Sequence, residues 1–146
     1  VGRPRGALAD AAHDYEARLG RALRLEVAEV RDEALQRGTP DEVREREGRR
    51  ILPHLEGCHV VVLDRTGKAH SSEELAVLLQ TLEERPPQRT AFVVGGACGV
   101  SEAVLQAAGT RLSLGPLTLP HQLARVVLGE QLYRATTILR GEPYHR

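Results

Sequence analysis

Aromatic residues are nearly absent from this chain of 146 residues, which has no tryptophan, one phenylalanine and three tyrosines. A core must therefore be built from Leu, Val and Ala, and a ladder of rings for stacking single-stranded nucleic acid is excluded. Cysteine is limited to Cys58 and Cys98, too few and too far apart for a zinc site or a disulfide framework. No apolar run approaches the ~20 residues of a membrane span, and no leader-like segment opens the chain. The expectation is a soluble cytoplasmic protein with neither membrane nor metal as a partner. Net charge is absent too, with 20 basic and 20 acidic residues, so no global polyanion signature exists. Lys68 is the single lysine, so nineteen basic residues are arginine. Guanidinium suits bidentate phosphate contacts, although a compositional bias explains the excess more simply. RNA, if bound, would be met through a local patch.

What is present is a globular balance, 41% hydrophobic and 27% charged, in one domain spanning residues 1–146. Leu8, Ala11, Ala12, Tyr15 and Leu19 recur at helical spacing up to Gly20. Leu23, Leu25 and Val27 alternate with polar residues through Val30, which reads as a half-buried strand. Thr39-Pro40 and Glu42 start a helix towards Leu55, and Ser71 with Glu74 starts another that ends at Pro86-Pro87. Between them His59-Val60-Val61-Val62-Leu63-Asp64 reads as a strand buried on both faces. Ala91 to Val94 and Arg111 to Leu114 are further strands, separated by a short helix capped by Ser101. A last helix covers His121 to Arg140. Alternation of strands and helices predicts an α/β fold with a mostly parallel sheet and helices on both faces. Val1-Gly2 reads as the end of a first strand whose body is truncated at the N-terminus.

Ligands of such sheets bind beyond the carboxyl ends of the strands, and three strand ends carry suggestive loops. One follows Leu63. A second is Gly95-Gly96-Ala97-Cys98-Gly99, whose spacing matches neither the dinucleotide fingerprint nor a P-loop. The third is Leu114-Gly115-Pro116-Leu117-Thr118-Leu119-Pro120, where fixed backbone and apolar side chains could wall an adenine-sized slot. A tight turn explains the glycine loop alone about as well, but two such loops at neighbouring strand ends favour a pocket. Cys98 near a helix start could pair with His121 or His145 as a nucleophile, a weaker reading because no supporting acid or amide is identifiable. His13, His54, His59 and His70 show no ligand spacing. The tail Glu142-Pro143-Tyr144-His145-Arg146 packs too much chemistry for an ordinary frayed end.

Four runs occur in order: Val93-Val94-Gly95-Gly96-Ala97-Cys98-Gly99; Leu112 to His121; Leu132-Tyr133-Arg134-Ala135; and Pro143-Tyr144-His145-Arg146. With Val62-Leu63-Asp64 and Tyr15-Glu16-Ala17-Arg18-Leu19 upstream, the whole chain resembles the bacterial ribosomal large-subunit pseudouridine N3-methyltransferases of the SPOUT class. Cys98 and Gly115-Pro116 depart from what is frequent there. The resemblance implies a C-terminal trefoil knot and a homodimer with cofactor pockets at the subunit interface. It also implies S-adenosyl-L-methionine held by Leu63, Gly95, Leu114, Gly115, Pro116, Leu117, Thr118 and Leu119. The implied reaction is methyl transfer to N3 of a pseudouridine in large-subunit (23S) ribosomal RNA, with the assembled ribosome favoured as substrate. N3 must lose a proton, so a base is useful. His145 is the candidate base, Tyr144 the orienting group, and Arg134 or Arg146 the holder of phosphate or ionised base. Two other readings stand beside this one. One is a non-catalytic RNA- or ribosome-binding module of the same fold. The other is an enzyme using a different adenine cofactor such as NAD, disfavoured because no acid follows the glycine loop at ribose spacing.

Overall fold

A run apolar at every position needs cover on both sides, and Val60, Val61 and Val62 receive it. In the computed structural model, which describes residues 1–145, they lie in the central strand of a three-stranded parallel sheet. The strands are β1 (His59–Ala69), β2 (Thr90–Val93) and β3 (Thr110–Ser113), in the order β2-β1-β3. Val60 registers with Ala91 and Val62 with Val93 on one side, and Val61 with Thr110 and Leu63 with Leu112 on the other.

Among the described residues five α-helices and two short 3-10 turns accompany the strands, the α-helices being α1 (Ala7–Ala22), α2 (Pro40–Ile51), α3 (Ser72–Glu84), α4 (Glu102–Ala107) and α5 (His121–Leu139). Successive side chains of a strand point to opposite faces, and the core divides accordingly. Val61 packs with Leu19 of α1, Leu75, Leu79 and Leu82 of α3, and Leu128 and Leu132 of α5. Val60 and Val62 pack with Ile51 and Leu55 after α2, and with Val100 and Val104 around α4. The helix starts follow the capping chemistry in the sequence. Thr39 and Ser71 each accept the N–H of a glutamate three residues on, whose carboxylate accepts the cap N–H in return.

The connections decide where a ligand can enter. α3 carries the chain from β1 to β2 on one face, and α4 carries it back past β1 to β3 on the other. Crossovers of one hand must change faces when they change direction. The loops leaving β1 and β2 therefore part, the topology beside which open α/β sheets generally bind ligands.

The alternating segment Leu23 to Val30 is not a strand. It is extended, but it forms no ladder among the described residues. Alternation dictates an extended backbone, whereas a strand also needs a neighbour; here Leu25 and Val27 stay exposed. Its one sheet-like bond runs from Gly2 N–H to the Val30 carbonyl at 2.8 Å. The Val1 amine donates to the Val94 carbonyl at 2.7 Å, and burial pulls that amine below its ordinary pKa. Among the described residues no helix is long and apolar enough to cross a membrane.

Arg125 ties α5 to the N-terminal third. Its guanidinium donates to Glu16 at 2.7 Å and to Glu29 at 2.9 Å, and Glu29 also holds Arg3 at 2.8 Å. Removing one partner of a largely covered network leaves the others uncompensated, so Arg125→Ala should cost about 1–2 kcal/mol, between exposed-pair and buried-pair values. Thermal melts should then show a Tm lower by roughly 3–6 °C. An unchanged melt would mean the network contributes nothing net.

Candidate active site

Two of the three expected loops leave carboxyl ends of parallel strands, β2 and β3; the third, after Leu63, is instead an irregularity within β1, which resumes pairing with β3 at Lys68. Leu63 is half-buried against the Val61 layer, level with the ends of β2 and β3. The glycine loop leaves β2 and closes on itself, with Gly99 N–H bonded to the Gly96 carbonyl at 3.0 Å. Gly99 takes φ 84°, a left-handed conformation that glycine reaches without steric cost. A Cβ on Gly95 would fall 2.9 Å from the Gly99 carbonyl, so the two limbs of the turn touch. After β3, Ser113 Oγ accepts Gly115 N–H at 3.2 Å and donates to the Gly115 carbonyl at 3.1 Å. That side chain sets the entry to the third loop. Leu114 and Leu119 are half-buried, while Leu117 is 78% exposed.

Glu47, which the sequence did not mark, supports the glycine loop from below. It is 2% exposed, and its Oε1 accepts Glu33 N–H at 2.9 Å. Its Oε2 has no hydrogen-bond partner among the described residues and would lie 2.5 Å from a Cβ on Gly96. The glycine there is set by close approach to a carboxylate. The nearby Arg44 guanidinium reaches the Cys98 carbonyl at 3.4 Å.

The tail residues come together as expected. Glu130 Oε1 accepts from Arg134 Nε at 3.0 Å, from Arg134 Nη2 at 2.5 Å and from the Tyr144 hydroxyl at 3.2 Å. Arg134 lies over the Tyr144 ring at 4.8 Å, and Tyr133 meets that ring edge-on with centroids 4.9 Å apart. Burial, then the hydrogen bond with Tyr15 and the charge of Glu130, push the Tyr144 phenol up to about 12. Bonding to Glu130 keeps Arg134 charged more firmly than an isolated guanidinium.

His145 sits between two partners, Glu73 Oε1 at 2.9 Å from Nε2 and Arg134 Nη1 at 3.5 Å from Nδ1. A carboxylate only accepts and a guanidinium only donates. The arrangement is therefore satisfied by the neutral tautomer with the proton on Nε2 and the lone pair on Nδ1. Glu73 is itself held below the usual carboxylate range by backbone hydrogen bonding, then by Ser71 and His145.

The loops and the described tail residues share no polar or ring contact. Among the described residues no hydrogen bond, ion pair or ring contact joins Arg134, Tyr144 or His145 to Gly95 or to residues 114–119. His121, where the third loop ends, precedes Arg134 by thirteen positions on α5, about 20 Å at 1.5 Å per residue. Cys98 forms no pair with either histidine: His121 faces Gly2, and His145 is occupied as above. Among the described residues no group of three or more His, Cys, Asp or Glu could hold a metal. Arg146, expected to contact substrate, lies outside the described residues. Glu130 and Glu73 were not singled out in the sequence, although the i,i+4 spacing of Glu130 to Arg134 was a readable signal.

A family model described as "Predicted SPOUT methyltransferase" matches residues 1–145. Three similar relatives all carry the name ribosomal RNA large subunit methyltransferase H. The one from Gemmatimonas aurantiaca is 50% identical over 149 aligned positions, covering 100% of this chain and 96% of its own length. The one from Rubrobacter xylanophilus is 48% identical, over 99% of this chain and 94% of the relative. The one from Syntrophotalea carbinolica is 44% identical, over 96% and 90%. With parallel strands, helices on both faces and this match along its length, the chain belongs to the SPOUT methyltransferase family.

Proposed function

We propose that this methyltransferase transfers the methyl group of S-adenosylmethionine to N3 of a pseudouridine in large-subunit (23S) ribosomal RNA. The observation that supports the reading is that Gly95 and the 114–119 loop follow the carboxyl ends of β2 and β3, the strands on either side of β1, while Leu63 lies level with those ends where the β1 bulge begins. The donor set fits the cofactor. Leu114, Leu117 and Leu119 offer apolar faces for a purine, and backbone groups around Gly95 and Gly115 to Thr118 offer donors and acceptors for its edge. When bound, S-adenosylmethionine supplies a sulfonium-linked methyl that needs no further activation.

The protein's own tasks are to hold the acceptor and to manage one proton. His145 takes the N3 proton on Nδ1, while Glu73 fixes the ring through Nε2 and favours the imidazolium that forms. Tyr144 stays protonated at neutral pH and orients, through Glu130, the arginine beside the base. Arg134 offers Nη1 to the developing anion, with Arg146 as a further cation for phosphate. Because the loops and the described tail residues share no polar or ring contact in one chain, the tail of one protomer completes the cofactor site of the other in a homodimer. The exposed Leu117 supports that arrangement. Family membership supports the C-terminal trefoil knot, a cytoplasmic location and the assembled ribosome as substrate.

Calorimetry should find one S-adenosylhomocysteine site per chain. Gly95→Val, which drives side-chain atoms into the Gly99 backbone, should weaken it at least ~10-fold, about 1.4 kcal/mol. A purified protein that binds none would instead favour the non-catalytic RNA-binding module. Ribosomal subunits containing pseudouridine should accept methyl groups, and subunits carrying uridine in its place should not. Methylation of both would sink the N3 assignment.

His145→Ala should slow single-turnover methylation by about 10²–10⁴ while leaving S-adenosylhomocysteine affinity unaltered. A full rate at every pH would remove His145 as base. Ultraviolet titration should show one phenol ionising near pH 12, missing in Tyr144→Phe. The raised value means the fold favours the neutral phenol. Its contribution to stability is whole below the unfolded pKa of about 10 and fades as pH climbs to about 12.

A further inference from the structure

β1 does not run straight past β3. Leu112 registers with Leu63 and again with Lys68, so residues 64–67 leave the ladder as a bulge. Asp64 closes it, accepting the Thr66 N–H at 2.7 Å and the Thr66 hydroxyl as well. Gly67 lets it lie flat on the neighbouring strand: a Cβ there would fall 2.6 Å from the Arg111 carbonyl carbon and 2.8 Å from Leu112 N. Arg65 and Arg111 thereby both come within electrostatic reach of Asp64, and Lys68 resumes the ladder opposite Leu112, the residue that follows Arg111.

All three cations are exposed, and none forms an ion pair among the described residues. Arg111 has only a long bond, Nη2 to the Leu105 carbonyl at 3.5 Å. This contrasts with Arg18, Arg44, Arg50, Arg125 and Arg134, each of which has an acid partner. The carboxylate facing the patch is Asp64, engaged by Thr66, so the patch keeps an excess of positive charge. The Thr66 hydroxyl foremost, with Arg111 and Arg65 adding, holds Asp64 below the usual carboxylate range against partial burial.

We propose that Arg65, Lys68 and Arg111, displayed by the β1 bulge, form a phosphate-binding surface for the backbone of the RNA substrate. The inference rests on the reading of this chain as a ribosomal RNA methyltransferase and adds to it where the RNA backbone is gripped. Nucleic-acid backbone is favoured over a protein partner because the patch offers cations without an apolar centre or a ring. Phosphate contacts position a substrate without reading its sequence. The bulge begins at Leu63, a candidate cofactor contact, so a strand held there lies beside the site of methyl transfer.

The test compares the full-length protein with the R65Q/K68Q/R111Q variant and the charge-keeping R65K/R111K variant. Binding to protein-free large-subunit RNA and to whole subunits is measured across salt concentrations, with S-adenosylhomocysteine affinity and thermal melts as controls. The glutamine variant should bind both RNA forms roughly tenfold or more weakly at low salt. Its slope of log K against log salt should shrink by about 2–3, at ~0.7–0.9 per phosphate lost. The charge-keeping variant should retain the slope, and cofactor affinity should not change.

An unchanged slope in the glutamine variant overturns the proposal while leaving the methyltransferase reading intact. A loss confined to whole subunits assigns the patch to a ribosomal protein and overturns it too, as does a wild-type protein that binds no protein-free RNA. If the wild-type protein methylates no ribosomal particle at all, the parent reading fails, and the slope no longer concerns a substrate.

Discussion

Val60, Val61 and Val62 leave neither face of the first half of β1 open to water, and the arrangement of everything else follows from covering both. Each face needs its own layer of helices, so α1, α3 and α5 take one and α2 and α4 the other. Because the chain moves outward to β2 and back to β3, crossovers of a single hand must change sides. The change of sides separates the loops at the top of β1 and β2, the topology beside which open α/β sheets generally bind ligands. At ~25 cal/mol per Å² of apolar surface, burial of these side chains is the main favourable term. The candidate binding position is thus a by-product of the way the core is closed. Leu63 belongs to both, packed against the Val61 layer and level with the ends of β2 and β3.

A neutral chain rich in arginine must still decide which guanidiniums are free. Most of those tied down here are held by specific carboxylates: Glu16 and Glu29 hold Arg125, Glu33 holds Arg50, and Glu130 holds Arg134. Such pairs add little individually at the surface, but they fix where charge remains available. Composition alone showed only a sum of zero. Arg65, Lys68 and Arg111 are among the cations with no acid partner among the described residues, whereas the guanidinium near the tail, Arg134, is held by Glu130.

The α/β class, the start of the central strand and the loops after β2 and β3 were legible because they rest on local patterns. Continuous valine dictates double burial, glutamates three residues after Thr39 and Ser71 mark helix starts, and prolines and glycines mark strand exits. The Leu23–Val30 segment was misread for an equally physical reason, since alternation specifies an extended chain but not a neighbour to bond with. Glu47 was invisible because its importance comes from Gly96, far away in sequence, lying against it. The bulge at residues 64–67 was half legible: Gly67 announced a turn, but only the double registration of Leu112 shows that β1 resumes beyond it. The role of Glu73 depends on His145, a contact 72 positions away in the sequence.

The tail also narrows what Arg134 can do. Two of its nitrogens are committed to Glu130, and Tyr144 shares the same carboxylate oxygen. Pulling Arg134 wholly onto an anion would leave Glu130 without its charged partner, with the Tyr144 phenol and the Gln131 amide as its remaining donors. Replacing that carboxylate contact would cost more than offering the remaining N–H, which points at His145 Nδ1. In the proposed reaction Arg134 would therefore serve where it stands, as a fixed positive charge beside His145. While His145 is neutral, the guanidinium N–H covers its lone pair; when an acceptor nitrogen arrives with its proton, that weak 3.5 Å contact is the one that yields. The stronger bond to Glu73 remains, and it keeps the ring oriented through the transfer.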